Sequence, residues 1–124
     1  MSKEQVVFVI DDDNAVRHSI CMLLESHGIV ARPYASGAAF LADSPAAPSC
    51  LLVDVDMPGM TGLELLERLR SGGIAIPAIV MTGALTSLIH RSVDRVGATL
   101  LRKPFQSGEL LASIETALGR YRAG

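Results

Sequence analysis

The chain has 124 residues, of which 49% are hydrophobic and 19% are charged, and this balance favours one domain with a substantial core over a disordered segment. The formal net charge is -2 and there is no long basic run, so direct binding of nucleic acid by this domain is not expected. No apolar stretch reaches the ~18 residues of a membrane span, and the first residues lack the pattern of a signal peptide. We therefore expect a cytoplasmic protein without membrane contact.

The cysteines and histidines show no pattern typical of a metal or redox site. Cys21 and Cys50 are both flanked by apolar residues, which favours buried free thiols over a disulfide. The histidines, His18, His27 and His90, are scattered along the chain without metal-ligand spacing. We expect them at the surface or at helix ends.

The first half of the chain begins with an apolar run at residues 6–10, which predicts a buried strand followed by three aspartates. A helical pattern comes next, with Gly28 as its C-terminal cap. Its inward-facing residues are Val16, Ile20, Leu23 and Leu24. Residues 29–34 predict a strand near the edge of a sheet, because Pro33 cannot donate to a ladder. A short helix over 37–42, capped by Ser36, and a loop over 43–49 follow.

The second half repeats this alternation of strand and helix. Residues 50–54 predict a buried strand that carries Asp54 to its C-terminal end. Thr61 and Glu64 form a capping-box pattern at the start of a helix that ends at Gly72. A fourth strand over 76–81 precedes Thr82, and a helix follows over 87–96. A fifth strand over 99–102 and a last helix from residue 107 complete the chain.

Strands and helices therefore alternate five times along the chain. Short helical connections between buried strands require parallel pairing with right-handed crossovers, so the helices cover both faces of the sheet. The predicted fold class is α/β, a doubly wound parallel sheet. We assign residues 1–119 to this domain and residues 120–124 to a polar tail or the start of a linker.

Polar residues follow four of the predicted strands, whereas the strands themselves are apolar. These residues are Asp11, Asp12, Asp54, Thr82 and Lys103. In a parallel sheet the carboxyl ends of all strands open on one edge, where open α/β sheets bind their ligands. Any one of these residues could be an independent turn residue. Their shared placement at one edge favours a functional site.

The chemistry of this set favours phosphoryl transfer. Converging carboxylates repel one another, and Lys103 offsets only one of their charges. A divalent cation would offset the rest, and oxygen ligands suit Mg²⁺. Mg²⁺ and the Lys103 ammonium would neutralise a phosphoryl group, to which the Thr82 hydroxyl could donate. Asp54 is the best-placed nucleophile because it ends a central strand, and its attack would yield an aspartyl phosphate.

Four stretches make the chain resemble a two-component response-regulator receiver domain over essentially its whole length. They are residues 9–13 (VIDDD), 53–62 (VDVDMPGMTG), 79–83 (IVMTG) and 103–105 (KPF). The sequence that flanks these stretches, including Ile76-Pro77, is similar to that of the FixJ-type receivers. The resemblance implies a flavodoxin-like (βα)5 fold with strand order 2-1-3-4-5.

The resemblance also implies a role for each acidic residue of the site. Asp54 would be the phosphoryl acceptor. Asp12 would bind Mg²⁺ directly and Asp11 would bind it through water. Asp54 and the backbone carbonyl of Asp56 would complete the metal site.

The remaining implied roles concern the phosphoryl group and its donor. Thr82 would hydrogen-bond the phosphoryl group, Lys103 would pair with it, and the Lys103–Pro104 peptide would be cis. The donor would be a phosphohistidine on a sensor histidine kinase, and the acyl phosphate would be hydrolysed afterwards. Such a chain is a signalling switch and not a turnover enzyme.

The resemblance further implies an output and a dimer surface. The face formed by the fourth helix, fifth strand and fifth helix would support a homodimer. The output would be control of transcription through a DNA-binding domain outside these residues.

Three departures from the family pattern bear on how phosphorylation is transmitted. Leu100 occupies the position where the family usually has an aromatic switch residue. Residues 84–86 read Ala-Leu-Thr where FixJ-type chains usually have His-Gly-Asp, and the segment 98–103 is one residue shorter. Phosphoryl chemistry is expected to survive these changes.

Three alternative functions compete with this hypothesis. A pseudo-receiver would bind partners without phosphorylation, and Leu100 is the main argument for it. A phosphatase of the haloacid-dehalogenase type would use Asp54 and Asp56 as its Asp-x-Asp motif, but that family places its nucleophile on the first strand. A flavin-binding relative of flavodoxin would need Gly, Ser or Thr in the first loop, which is acidic here.

Overall fold

Five strands form a parallel sheet in a computed structural model that describes residues 5–43 and 50–119. The strands are β1 (Val6–Ile10), β2 (Val30–Tyr34), β3 (Cys50–Asp54), β4 (Ala78–Thr82) and β5 (Thr99–Arg102). They pair in parallel in the order β2-β1-β3-β4-β5. The predicted flavodoxin-like fold and its strand order are thereby confirmed. β1, β3 and β4 are buried along their whole length, as expected for strands covered on both faces.

Among the described residues, one helix follows each of the five strands, and the helices divide between the two faces of the sheet. They are α1 (Asn14–Ser26), α2 (Gly37–Asp43), α3 (Gly62–Ser71), α4 (Ser87–Arg95) and α5 (Ser107–Ala117). One apolar core joins β1 and β3 to residues of α2, α3 and α4, whereas a second joins the opposite side of the same strands to α1 and α5. Alternate residues of each strand therefore enter different cores.

The fourth strand begins later than its hydrophobic pattern predicts. The prediction of residues 76–81 is wrong at both ends, because β4 spans Ala78–Thr82. Ile76 is only partly buried and Pro77 is exposed. The ladder with β3 starts where Leu51 pairs with Ala78, and Pro77 contributes only its carbonyl, which accepts from the Leu51 amide at 2.8 Å.

Most other predicted boundaries agree with the structure to within one residue. Asp43, predicted to lie in a loop, is the last residue of α2. The rest of that loop, residues 44–49, lies outside the described residues, as does the predicted tail at 120–124. Within the described helices, none has both the length and the apolar character that a membrane crossing would need.

Local capping signals explain where α1, α3 and α4 begin. Asp13 caps α1, because its Oδ1 accepts from the amides of Ala15 and Val16. Thr61 and Glu64 form the predicted capping box of α3, with each side chain accepting from the backbone of the other. The Thr86 side chain caps α4.

The predictions for cysteine and histidine are confirmed. Cys21 and Cys50 are buried and free. Burial raises the pKa of the Cys50 thiol to about 12, which leaves it protonated and unreactive at neutral pH. The three histidines are exposed.

Candidate functional site

Strand register brings the predicted site residues to one edge of the sheet. Ile10 of β1 pairs with Val53 of β3, so the next residues, Asp11 and Asp54, stand side by side. Asp54 in turn pairs with Met81, the residue before Thr82 at the end of β4. The carboxyl ends of β1, β3 and β4 therefore carry a continuous row of polar side chains.

Three carboxylates converge at this edge. Ligand atoms of Asp11, Asp12 and Asp54 all lie within 4.8 Å of one another. Asp11 and Asp54 are buried, at 1% and 4% exposure, whereas Asp12 is exposed and leaves the cluster open to solvent. Oxygen donors in a partly open cluster are the type of site that Mg²⁺ prefers.

One oxygen of this cluster is buried without a hydrogen-bond donor among the described residues. Asp11 Oδ2 has no hydrogen-bond partner among the described residues, and a buried acceptor of that kind is costly to leave alone. Asp11 Oδ1, in contrast, accepts from the Asp13 amide at 2.9 Å. The orphaned oxygen fits a divalent cation shared with Asp12 and Asp54.

Lys103 supplies a positive charge to the cluster from the end of β5. Its Nζ lies 3.3 Å from Asp54 Oδ1 and 3.8 Å from Asp11 Oδ2. The Lys103 amide donates to the Thr82 carbonyl at 2.8 Å, which places the start of its side chain next to β4. The peptide that follows, Lys103–Pro104, is cis as predicted.

Burial dominates the electrostatics of the two inner carboxyls. Desolvation raises the pKa of Asp54, while Lys103 lowers it and Asp11 raises it further. Desolvation likewise raises the pKa of Asp11, and the Asp13 amide and Lys103 oppose that effect. One ammonium group therefore does not compensate fully for two buried carboxylates.

The backbone of Asp11 is fixed by partners that the sequence pattern did not indicate. Its amide donates to the Tyr34 carbonyl at 3.1 Å, and its carbonyl accepts from Arg17 Nη1 at 2.6 Å. Arg17 reaches back from the first turn of α1 to make this contact. Its only signal in the sequence is a basic residue six positions after Asp11, which is too common to identify it.

Thr82 was predicted to follow the fourth strand directly, but it is the last residue of β4. It is 1% exposed, and its Oγ1 donates to the Ala84 carbonyl at 3.1 Å and accepts from the Ala84 amide at 3.2 Å. The hydroxyl is therefore engaged with the loop between β4 and α4. Donation to a ligand would require it to leave the Ala84 carbonyl.

The remaining predicted positions lie close to this edge or on β5. Asp56 is exposed, and its amide donates to Asp54 Oδ1 at 3.3 Å, which orients that carboxylate. Leu100 is half-buried on β5 and packs against the core under α2, α3 and α4.

The family model for the response regulator receiver domain matches residues 7–115. The transcriptional regulatory protein FixJ of Azorhizobium caulinodans is 42% identical over 122 residues, which cover 97% of this chain and 58% of that protein. The response regulator protein TmoT of Ectopseudomonas mendocina is 36% identical, over 94% of this chain and 54% of that protein.

The chain is also similar to a receiver whose structure has been solved. The crystal structure of FixJ-N has a TM-score of 0.87 and 32% identity, over 99% of this chain and 100% of that chain. The chain spans little more than half the length of the curated relatives described above.

Proposed function

The chain belongs to the response regulator receiver domains, whose members are signalling proteins, and from this premise we propose that it is a phosphorylatable receiver. Asp54 accepts a phosphoryl group from a phosphohistidine on a sensor histidine kinase, in a reaction that requires Mg²⁺. The observation that carries the proposal is the cluster of Asp11, Asp12 and Asp54, within 4.8 Å of one another and beside the Lys103 ammonium.

In the transfer step, an Asp54 carboxylate oxygen attacks phosphorus. The N–P bond of the phosphohistidine breaks, its electron pair goes to the imidazole nitrogen, and that nitrogen takes up a proton from solvent. Asp54 Oδ1 already has two partners, the Asp56 amide and Lys103 Nζ, so the carboxylate is held in one orientation. Such positioning lowers the entropic cost of bringing nucleophile and phosphorus into line.

Charge compensation is the second contribution of these residues. Lys103 would pair with a phosphoryl oxygen, and the Thr82 hydroxyl would donate to another after leaving the Ala84 carbonyl. Asp11, Asp12, Asp54 and the Asp56 carbonyl would hold Mg²⁺, which when bound neutralises phosphoryl charge. Hydrolysis then ends the signal, as a water oxygen bonds to phosphorus and the bond to Asp54 breaks.

Incorporation of phosphate from a small donor tests this proposal. With phosphoramidate and Mg²⁺, we expect mass spectrometry of the intact protein to show addition of one phosphoryl group. The Asp54→Asn variant should take up none, because an amide is not a competent nucleophile. Asp94→Asn, the same change at an exposed site on α4, should be labelled like the wild type. Undiminished labelling of Asp54→Asn would refute the assignment.

The output of the switch is a further part of the proposal. The relatives FixJ and TmoT are named as a transcriptional regulatory protein and a response regulator. We infer that this domain acts in the cytoplasm, dimerises through α4, β5 and α5, and regulates transcription through a domain beyond these residues. Sedimentation with and without beryllofluoride, a phosphate mimic, would test the dimer.

The alternative is a pseudo-receiver, which the half-buried Leu100 favours because leucine cannot provide the family's ring or hydroxyl switch. It predicts partner binding of equal affinity with and without beryllofluoride. A receiver that is switched by phosphorylation predicts a difference.

A further inference from the structure

We propose that Gly62 is a positioning residue for the phosphoryl-transfer site, an inference that rests on the proposed function. Gly62 is the first residue of α3 and is buried against the strand that bears the nucleophile. Because it has no side chain, the start of α3 lies directly on the backbone of Asp54. That contact sets the position of the carboxylate.

The space at Gly62 excludes any side chain. A Cβ atom there would lie 2.4 Å from the Asp54 carbonyl oxygen, 3.0 Å from its carbon and 3.1 Å from Val53 Cγ2. Its φ lies outside the left-handed region, so its conformation is open to other residues. The requirement for glycine is therefore one of close approach between two backbones.

Other glycines in the first turns of helices differ from Gly62. A Cβ on Gly108, in the first turn of α5, would meet nothing within 4 Å. A Cβ on Gly37, at the start of α2, would lie 3.1 Å from the Met60 sulfur, which belongs to a flexible side chain. Only at Gly62, among the glycines described, is the obstacle a backbone atom closer than 3.0 Å.

The surroundings leave little freedom to absorb a methyl group. On the sheet side, the Val55 amide donates to the Met81 carbonyl at 2.9 Å. On the helix side, the Gly62 amide donates to the Val55 carbonyl at 3.2 Å, while Leu65 and Leu66 are fully buried. A methyl group at residue 62 must therefore move α3, Asp54 or both until the contact exceeds about 3.0 Å.

Displacement of Asp54 acts directly on the chemistry. Its carboxylate lies 3.3 Å from Lys103 Nζ and shares the acidic cluster with Asp11 and Asp12. A misplacement of about 1 Å can cost about 100-fold in rate. Relief of the 2.4 Å contact to about 3.0 Å requires a shift of about half that size, for which we expect a loss of about tenfold in rate. Mg²⁺ affinity should fall as well, because Asp54 and Asp56 lie on the same short backbone segment. A shift of Asp54 would therefore displace both the Asp54 carboxylate and the Asp56 carbonyl from their positions as metal ligands.

Three variants separate positioning from general loss of stability. Gly62→Ala makes the proposed change, and Gly108→Ala is the same substitution in open space. Leu69→Val removes packing from the same helix two turns further on. Urea unfolding compares the stability of each variant with that of the wild type. Titration with Mg²⁺, followed by the NMR chemical shifts of backbone amides without a phosphoryl donor, compares metal affinity. The initial rate of phosphorylation by phosphoramidate at saturating Mg²⁺ compares the chemistry.

We expect Gly62→Ala to weaken Mg²⁺ binding severalfold and to slow phosphorylation about tenfold, as predicted from the displacement of its nucleophile. Gly108→Ala should match the wild type in both measurements. Leu69→Val should lose stability while its Mg²⁺ affinity and rate stay unchanged.

Several results would overturn the role of Gly62. These are wild-type Mg²⁺ binding and rate in Gly62→Ala, equal site losses in Leu69→Val, or failure of Gly62→Ala to fold where Leu69→Val folds. Failure of the proposed function gives a different result. In that case the wild type incorporates no phosphoryl group, while the Mg²⁺ titration still decides whether Gly62 positions the cluster.

Discussion

Asp11 and Asp54 are two buried carboxyls that share one ammonium group. Burial raises the pKa of both, and Lys103 offsets only part of that effect. The free energy of folding therefore includes an unfavourable contribution from their ionisation. Functional sites commonly retain such charges because the ligand compensates for them.

Replacement of Asp54 by asparagine should stabilise the metal-free protein at neutral pH. The pKa of Asp54 in the folded protein lies above its usual value of 3.8, so folding disfavours the ionised form. The gain of Asp54→Asn should be full above the folded-state pKa. It should shrink as the pH falls and vanish below 3.8, where wild-type Asp54 becomes protonated in both states.

Urea unfolding in Mg²⁺-free buffer, from roughly pH 4 to pH 8, measures this effect as the free energy of unfolding. Asp94→Asn, the same change at an exposed position of α4, is the control. A variant that is less stable than the wild type at neutral pH would contradict the argument.

Lys103 should contribute mainly to the rate of phosphoryl transfer. Its Nζ lies 3.3 Å from Asp54 Oδ1, so Lys103→Met removes the cation that we propose meets the incoming phosphoryl group. Loss of one such group typically costs about 100-fold in rate. Arg102→Met removes a neighbouring but exposed cation of β5 and should leave the initial rate with phosphoramidate close to that of the wild type. Equal rates for the two variants would exclude a specific role for Lys103.

At the scale of elements, α4 has one end near the site and the other end tied to α3. Its capping residue, Thr86, follows the loop that holds the Thr82 hydroxyl. At the other end, Arg70 of α3 donates from Nε to the Val96 carbonyl at 2.8 Å and from Nη1 to the Ile74 carbonyl at 3.0 Å. The contact with Val96 holds the C-terminal end of α4 against α3.

Removal of Arg70 should loosen the C-terminal end of α4. Arg70→Ala deletes two hydrogen bonds from a charged donor, and we expect a loss of about 1–2 kcal/mol in the free energy of unfolding. Amide hydrogen exchange at the end of α4 should become faster. Arg95→Ala is the comparison, because its ion pair with Glu67 is exposed and should contribute little. Equal losses of stability in the two variants would contradict a specific role for Arg70.

The sequence predicted the elements better than their contacts. Continuous apolar runs identified β1, β3 and β4, because buried parallel strands are apolar on both faces. The start of β4 was misplaced, since the end of its ladder depends on where Leu51 of β3 finds a partner and not on the hydrophobicity of Ile76.

The site was predicted as a set of residues but not as a network. The acidic cluster followed from the placement of polar residues at strand ends, whereas the strand order came from the family resemblance. The contact of Arg17 with the Asp11 carbonyl and that of Gly62 with the Asp54 carbonyl involve backbone atoms. Side-chain patterns carry no signal for such contacts.

At the scale of the whole molecule, the acidic cluster and the two apolar cores depend on the same strands, β1 and β3. Asp54 ends β3, the central strand of the sheet, and β3 contributes to the core on each face. A ligand at the cluster therefore binds only when β1 and β3 are paired. Occupancy of the site and stability of the fold are linked for this reason.

Mg²⁺ should accordingly stabilise the whole domain. At a concentration about 100 times the dissociation constant, a ligand that binds only the folded state adds about 2.7 kcal/mol to the free energy of unfolding. Asp12 is exposed, so Asp12→Asn should fold like the wild type but gain much less from Mg²⁺. Urea unfolding of both proteins at increasing Mg²⁺ concentration measures the difference. An equal gain in both proteins would mean that Mg²⁺ acts elsewhere, and no gain in the wild type would mean that the cluster does not bind it.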